Sequence, residues 1–302
     1  MLVSRRTLTL AALASLAAGA PVWAQDKTGK IKVVATFSIL ADLVANVGGD
    51  RVDITTLVGA NGDAHVYQPS PADAKRLADA KVVFTNGLGF EGWIARLIKA
   101  SGTKAPVVVA TKGVKPRRME SADAHGHSTD PHAWQAVANV KIYVANIRDG
   151  LIAADPSGKA SYEANATAYL AKLDGLDGEV RDEVARIPPD RRRIISTHDA
   201  FGYFSAAYGL EFIAPQGVST EAEVSAKDVA KIIQQIRRQK IPAVFLENVS
   251  DARLVKRIAE ETGAKIGGTL YSDALTDEKG DAPTYVDMMR HNIRTLSAAL
   301  LA

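Results

Sequence analysis

Short β-branched runs alternate with amphipathic helical segments along almost the whole chain, in two successive sets of four. The first set reads KIKVVATF (30–37), RVDITTLV (51–58), KVVFTNG (81–87) and APVVVA (105–110). Each is followed by a helical pattern: SILADLVANVGG, PADAKRLADA, EGWIARLIKA and, after a long loop, ANVKIYVANIRDGLIAADP. The second set reads RRIIST (192–197), LEFIAPQ (210–216), PAVFLENV (242–249) and AKIGGTLY (264–271), with helices near 199–208, 225–239, 251–262 and 284–301. A helix between two strands carries the chain back to its starting edge, so successive strands run parallel. The chain therefore reads as α/β: two doubly wound (β/α)4 lobes, each with a parallel four-stranded sheet.

Between the sets, residues 159–187 place Tyr162, Ala166, Tyr169, Leu173, Leu176, Val180, Val184 and Ile187 at three- and four-residue steps, one face of a single long helix. Gly175 and Gly178 each weaken it by ~1 kcal/mol, which allows a kink there. PSG (156–158) and PP (188–189) bound the segment. The expected organisation is an N-terminal lobe over 25–157, a linking helix over 158–189 and a C-terminal lobe over 190–302. Such a helix restrains hinge motion more than a flexible linker would.

Residues 1–24 stand apart from this pattern. MLVSRRTLTLAALASLAAGAPVWA has a basic start at Arg5 and Arg6, an apolar Ala/Leu run, and small residues Val22 and Ala24 before a break. This is the layout of a cleaved export signal, too short and too alanine-rich for a comfortable membrane span. SRRTLTL also resembles a twin-arginine signal, so the route is Sec or twin-arginine. The chain contains no cysteine, hence neither a lipid-anchoring thiol nor a disulfide framework. The formal net charge of +3 includes Arg5 and Arg6, which leaves +1 for the remainder. That balance gives no reason to expect nucleic acid or an anionic membrane surface as a partner. A soluble periplasmic monomer without a membrane anchor is expected.

In open α/β sheets, ligands bind beyond the carboxyl ends of the strands, where several loops converge. His65 follows the second strand, and His132 closes the long loop after the fourth. His198 directly follows the first strand of the second set, and Asp273 the last. Three imidazoles and a carboxylate, two from each lobe, suit a four-coordinate metal in an interlobe cleft. Asp130 reads as turning the loop or bonding a ligand histidine, and Glu247 as a candidate supporting group. Asp199 reads as a helix cap, His291 as structural or surface, and Arg191–Arg193 as a solvated start to a strand.

At these residues the sequence resembles a family. GDAHVYQPSP, TDPHAW, STHDAFGYF and LYSDAL, with FSILADLV and NGLGFEGWI, are similar to the cluster A-I solute-binding proteins of zinc and manganese ABC transporters. The resemblance spans nearly all of the chain after residue 24. It implies His65, His132, His198 and Asp273 as the ligands, and an ABC transporter permease as partner, with a periplasmic metallochaperone as a further candidate. Zinc-type members carry histidine as the third ligand where manganese and iron types commonly carry glutamate, so His198 points to Zn2+, with Mn2+ or iron as the alternative. Three nitrogen donors agree with that, since manganese prefers oxygen-rich sites. Zinc-type members often carry a histidine-rich insertion before the second ligand; here only His125 and His127 stand in that place, a candidate auxiliary capture loop.

Two other functions fit parts of the pattern. Three histidines with an open position would suit a zinc hydrolase, but no H-E-x-x-H supplies a general base, and Asp273 fills the fourth corner. No Gly-rich phosphate loop or G-x-S-x-G elbow is read in the chain. A binder of an organic or chelated ligand would not need a ligand-grade side chain from each of four strand-end loops. For the leader, the expectation is cleavage before Gln25. Intact mass of the exported protein checks it, and retention of residues 1–24 would refute it.

Overall fold

A computed structural model describes residues 29–118, 129–221 and 224–302. The expected leader, residues 1–24, and His125 and His127 lie outside them. The first lobe comprises β1 (Ile31–Phe37), α1 (Ser38–Gly48), β2 (Val52–Val58), α2 (Pro71–Asp79), β3 (Val82–Thr85), α3 (Ile94–Ser101), β4 (Val107–Val109) and α4 (Val137–Ala154). The linking helix is α5 (Lys159–Arg186). The second lobe comprises β5 (Arg193–Ile195), α6 (Gly202–Tyr208), β6 (Glu211–Ile213), α7 (Ala226–Gln239), β7 (Ala243–Glu247), α8 (Ala252–Thr262), β8 (Lys265–Leu270) and α9 (Tyr285–Leu301). Among the described residues these strands pair only in parallel, and the sheet orders are β2-β1-β3-β4 and β6-β5-β7-β8. The two lobes share one topology, with the strand order reversing beside β1 and β5.

Several strands stop short of the β-branched runs that announce them. β5 ends at Ile195 although Ser196 and Thr197 continue the run, because the Thr197 N–H turns to Glu247 Oε1 at 2.6 Å. β3 ends at Thr85 because the Asn86 N–H turns to Glu91 Oε1 at 2.6 Å. In both places a buried carboxylate captures an N–H that would otherwise extend the ladder, while the carbonyls of Thr197 and Asn86 still accept from Gln216 and Thr111 of the neighbouring segment.

α5 buries Tyr162, Ala166, Tyr169, Leu173, Leu176, Val180 and Val184 along one face. Its 28 residues span about 42 Å. At its start Asp155 binds Tyr162 Oη (2.8 Å) and the Arg51 guanidinium (2.7 and 3.0 Å). Burial works against the charged carboxylate, but these bonds and that of Ser157 overcome it and hold Asp155 down at about 2. At its end Arg192 donates to the carbonyls of Ile187 and Val184, the latter shared with the Ile187 N–H. Arg192 is thus a helix-end clamp, whereas Arg193 pairs with exposed Glu211 as a solvated strand start should.

One hydrophobic core runs from Val33 through α4 and α5 to Leu300, drawing on both lobes. A smaller one lies between β5, β7, α7 and α8, around Ile195, Ile232, Val244 and Ile258. No helix among the described residues is long and apolar enough to cross a membrane.

The helix passes unbroken through Gly175 and Gly178, and a Cβ added at either would meet nothing within 4 Å. Gly175→Ala and Gly178→Ala should therefore each stabilise the fold, by up to ~1 kcal/mol. Chemical or thermal unfolding of the two variants checks this; a lowered midpoint would mean that the bare positions are needed for packing.

Candidate metal site

Each of the four strand-end residues is placed by its own local structure. The His65 loop follows β2. Its N–H donates to Asp63 Oδ1 (2.9 Å), Trp93 Nε1 donates to the Ala64 carbonyl (2.8 Å), and the Phe90 ring meets the imidazole edge-on at 4.7 Å. His132 comes at the end of the loop after β4, where Asn86 Nδ2 holds the Pro131 carbonyl at 2.9 Å. Asp130 Oδ1 sits 2.9 Å from His132 Nδ1 and accepts the His132 N–H at 3.0 Å, while Arg117 donates to Oδ2. His198 follows β5; Glu247, the last residue of β7, accepts the His198 N–H at 3.0 Å and lies 2.5 Å from Nδ1 as an ion-pair contact rather than an aligned hydrogen bond. Asp273 follows β8.

The structure brings all four together. His65 Nε2 lies 3.2 Å from His132 Nε2 and 3.2 Å from Asp273 Oδ2. His198 Nε2 lies 3.0 Å from Asp273 Oδ2, and His132 Nε2 lies 3.6 Å from Oδ1. One donor atom from each residue falls within 4.8 Å of all the others. His132, His198 and Asp273 are fully buried and the His65 side chain is 4% exposed, so water is shut out. With a carboxylate beside each Nδ1 of His132 and His198, both rings turn Nε2 toward the centre. Such a set can hold one divalent cation.

The electrostatics follow from burial and from one shared negative charge. Burial works against a charged His132, but the Asp273 charge and the Asp130 bond outweigh it and hold the ring up at about 9. His198 is raised well above its ordinary value: burial opposes, and Glu247 and Asp273 prevail. His65 goes the other way, lowered chiefly by burial, with the two neighbouring imidazoles adding to it. Burial would raise Asp273, but His198 and His132 hold it well below the carboxylate range.

Other readings divide. Asp130 and Glu247 both back ligand-type histidines, as their positions suggested. Asp199 does not cap a helix: α6 begins at Gly202 after Phe201, with no side-chain cap, and Asp199 is a half-buried carboxyl raised by desolvation and by nearby Asp130. His291 packs on Tyr271 and lies 3.0 Å from the Thr269 carbonyl, away from the cluster. One spacing was passed over in the sequence. Gly87, Gly89 and Gly92 follow β3 in a G-x-G-x-x-G pattern, which elsewhere cradles phosphate. Here Glu91 takes the Asn86 and Gly87 N–H groups and the Thr36 hydroxyl, so the loop is filled by its own carboxylate. Trp134 and Gln135 also went unnoticed; both reach across to the second lobe at the Ser272 carbonyl.

Two parallel α/β sheets, a single linking helix and a sealed cluster of nitrogen and oxygen donors between them define a binding protein for a bare divalent cation. The family described as zinc-uptake complex component A, periplasmic (ZnuA), matches residues 33–299, and the chain belongs to it. It is 34% identical to the manganese-binding lipoprotein MntA of Halalkalibacterium halodurans over 270 residues, 89% of this chain and 88% of that one. It is 33% identical to the iron-binding protein YfeA of Yersinia pestis, over 96% and 91% of the two chains. The fold superposes on the periplasmic zinc-binding protein TroA of Treponema pallidum with a TM-score of 0.85 and 33% identity, covering 90% of this chain and 99% of that one. The chain is accordingly a substrate-binding component of a metal ABC transporter and not an enzyme, and of these relatives MntA is named a lipoprotein and TroA a periplasmic protein.

The raised histidines set a pH dependence for the protein freed of metal. Their protonated forms are favoured in the fold, so this stabilisation is complete below the unfolded value of ~6.5 and is lost as pH rises through about 9 for His132. The melting midpoint of chelator-treated protein should fall across that window, and His132→Gln should flatten the slope. A flat profile in the parent would contradict it.

Proposed function

We propose that the protein captures Zn2+ with His65, His132, His198 and Asp273 and delivers it to an ABC permease. The observation that carries this reading is the convergence of four donor atoms, one from each of four strand-end loops, within 4.8 Å and out of reach of water. A tetrahedron with bonds of ~2.0–2.2 Å has edges of about 3.3–3.6 Å. The shorter donor separations here, 3.0–3.2 Å, fall just below that range and the widest lie within 4.8 Å, so small side-chain shifts would bring the set onto one ion. Three nitrogens and one carboxylate suit zinc. Manganese prefers more oxygen donors than the one carboxylate this set offers. The same reading takes residues 25–157 and 190–302 as the lobes, 158–189 as the link, and 1–24 as a leader removed on export to the periplasm.

The second reading is manganese or iron, favoured by the names of relatives such as MntA and YfeA. Competitive titration of Zn2+ against Mn2+ distinguishes the two, and variants locate the cause. Losing a supporting residue typically costs 10–100-fold in metal affinity, so His132→Ala should weaken Zn2+ by at least about 100-fold. His198→Glu should lower the zinc-to-manganese affinity ratio, because it exchanges an imidazole for a carboxylate that manganese tolerates well. Asp273→Ala should weaken zinc less than loss of a histidine. Unchanged zinc affinity in His132→Ala would refute the ligand set, and a parent that prefers Mn2+ would refute zinc.

A further inference from the structure

The loop that supplies Asp273 is held by the loop that supplies His132. The 3-10 turn Ala133–Gln135, directly after His132, aims two N–H donors at one acceptor. Trp134 Nε1 lies 2.9 Å and Gln135 Nε2 lies 2.7 Å from the backbone carbonyl oxygen of Ser272. All three residues are fully buried, and the Trp134 ring packs against Phe37 and Phe90 of the first lobe. The carbonyl belongs to the peptide that joins Ser272 to Asp273, so the two bonds fix the plane from which the Asp273 side chain springs.

Asp273 needs such a hold more than the histidines beside it. His132 is braced by Asp130 and His198 by Glu247. Among the described residues the Asp273 carboxylate has no comparable brace: Oδ2 meets the ring nitrogens of His198 and His65, and Oδ1 has no hydrogen-bond partner and only His132 Nε2 nearby, at 3.6 Å. Gln135 Oε1 is itself buried without a partner, so an apolar side chain of the same length would fill this position at lower cost. What the amide contributes is its N–H.

We propose that Trp134 and Gln135 are positioning residues for Asp273, forming a latch between the lobes on the Ser272 carbonyl that keeps the fourth donor in place and sets how fast the cation leaves. The proposal rests on the four-donor reading above. Both donors stand on the first lobe and the acceptor on the second, so rotation of the one Ser272–Asp273 peptide breaks both bonds together and withdraws the carboxylate, leaving three imidazoles.

The test uses the full chain loaded with Co2+, whose visible absorption reports the coordination shell. The variants are Gln135→Met, which removes one donor and keeps side-chain length, and Gln135→Met combined with Trp134→Phe. Each should shift the cobalt band toward that of Asp273→Ala and release Co2+ to a chelator faster, by about 10–100-fold for the pair, with the uptake rate unchanged. A parent-like band and release rate in both, with only a lower melting midpoint, would show that these side chains merely pack and would overturn the latch. A parent-like band in Asp273→Ala would instead overturn the four-donor reading, and the latch with it. Gln135→Met leaves the Trp134 bond and its ring packing in place, so it decides the matter even where the double variant does not fold.

Discussion

The whole arrangement depends on a carboxylate held among three imidazoles in a place that water does not reach. An ionised carboxyl is costly to bury unless opposite charge or hydrogen-bond donors replace its hydration. Asp273 finds those replacements only because His65 and His132 arrive from one lobe and His198 from its own. Neither lobe alone could keep these groups dry and paired, so contact between the lobes is a condition for the site and not an accessory to it. The other bonds across the seam serve the same closure. Thr220 donates to Asp63, the Asn61 N–H to the Leu275 carbonyl, and Tyr285 Oη to the Trp134 carbonyl.

Burial also shapes what the site does with a cation. Two imidazoles that favour their protons stand beside one that does not, all facing a carboxylate that stays ionised. On the proposed ligand set, an incoming ion would displace protons from His132 and His198, and Asp273 would offer it charge throughout. Binding and proton release are thus one event. The backing carboxylates, Asp130 and Glu247, stand on the far sides of those two rings and determine which nitrogen faces the ion.

Much of this is legible in the sequence. The alternation of strand and helix gave the two parallel sheets, because period and order are local properties of sequence. The positions of His65, His132, His198 and Asp273 just beyond strand ends foretold that they would meet, because parallel sheets send such loops to one edge. What escaped were features created by partners distant in the chain. The Gln135 bond to Ser272 spans 137 residues, and nothing in the local sequence announces it. Glu91 escaped because its role is to fill a glycine loop that looks built for phosphate. Asp199 misled because aspartate before a helix is so often a cap, whereas here the chain makes one more turn before α6 begins. Strand ends were overestimated where a buried carboxylate outcompeted the ladder for an N–H.

The continuity of the main core has a consequence for how this protein can be taken apart. Because α5 carries its buried face from Tyr162 to Val184 into an apolar mass shared by α1, α4 and α9, the two lobes are separate in topology but joined in cohesion. Cutting the chain at the linking helix would expose the apolar surface on which both halves settle. Exchanging a lobe with that of a relative would require the partner to reproduce the stripe of α5 as well as the ligand loops. The lobes are therefore not interchangeable modules, and any redesign of the cargo site is better confined to the four loops at the strand ends than attempted by recombining halves.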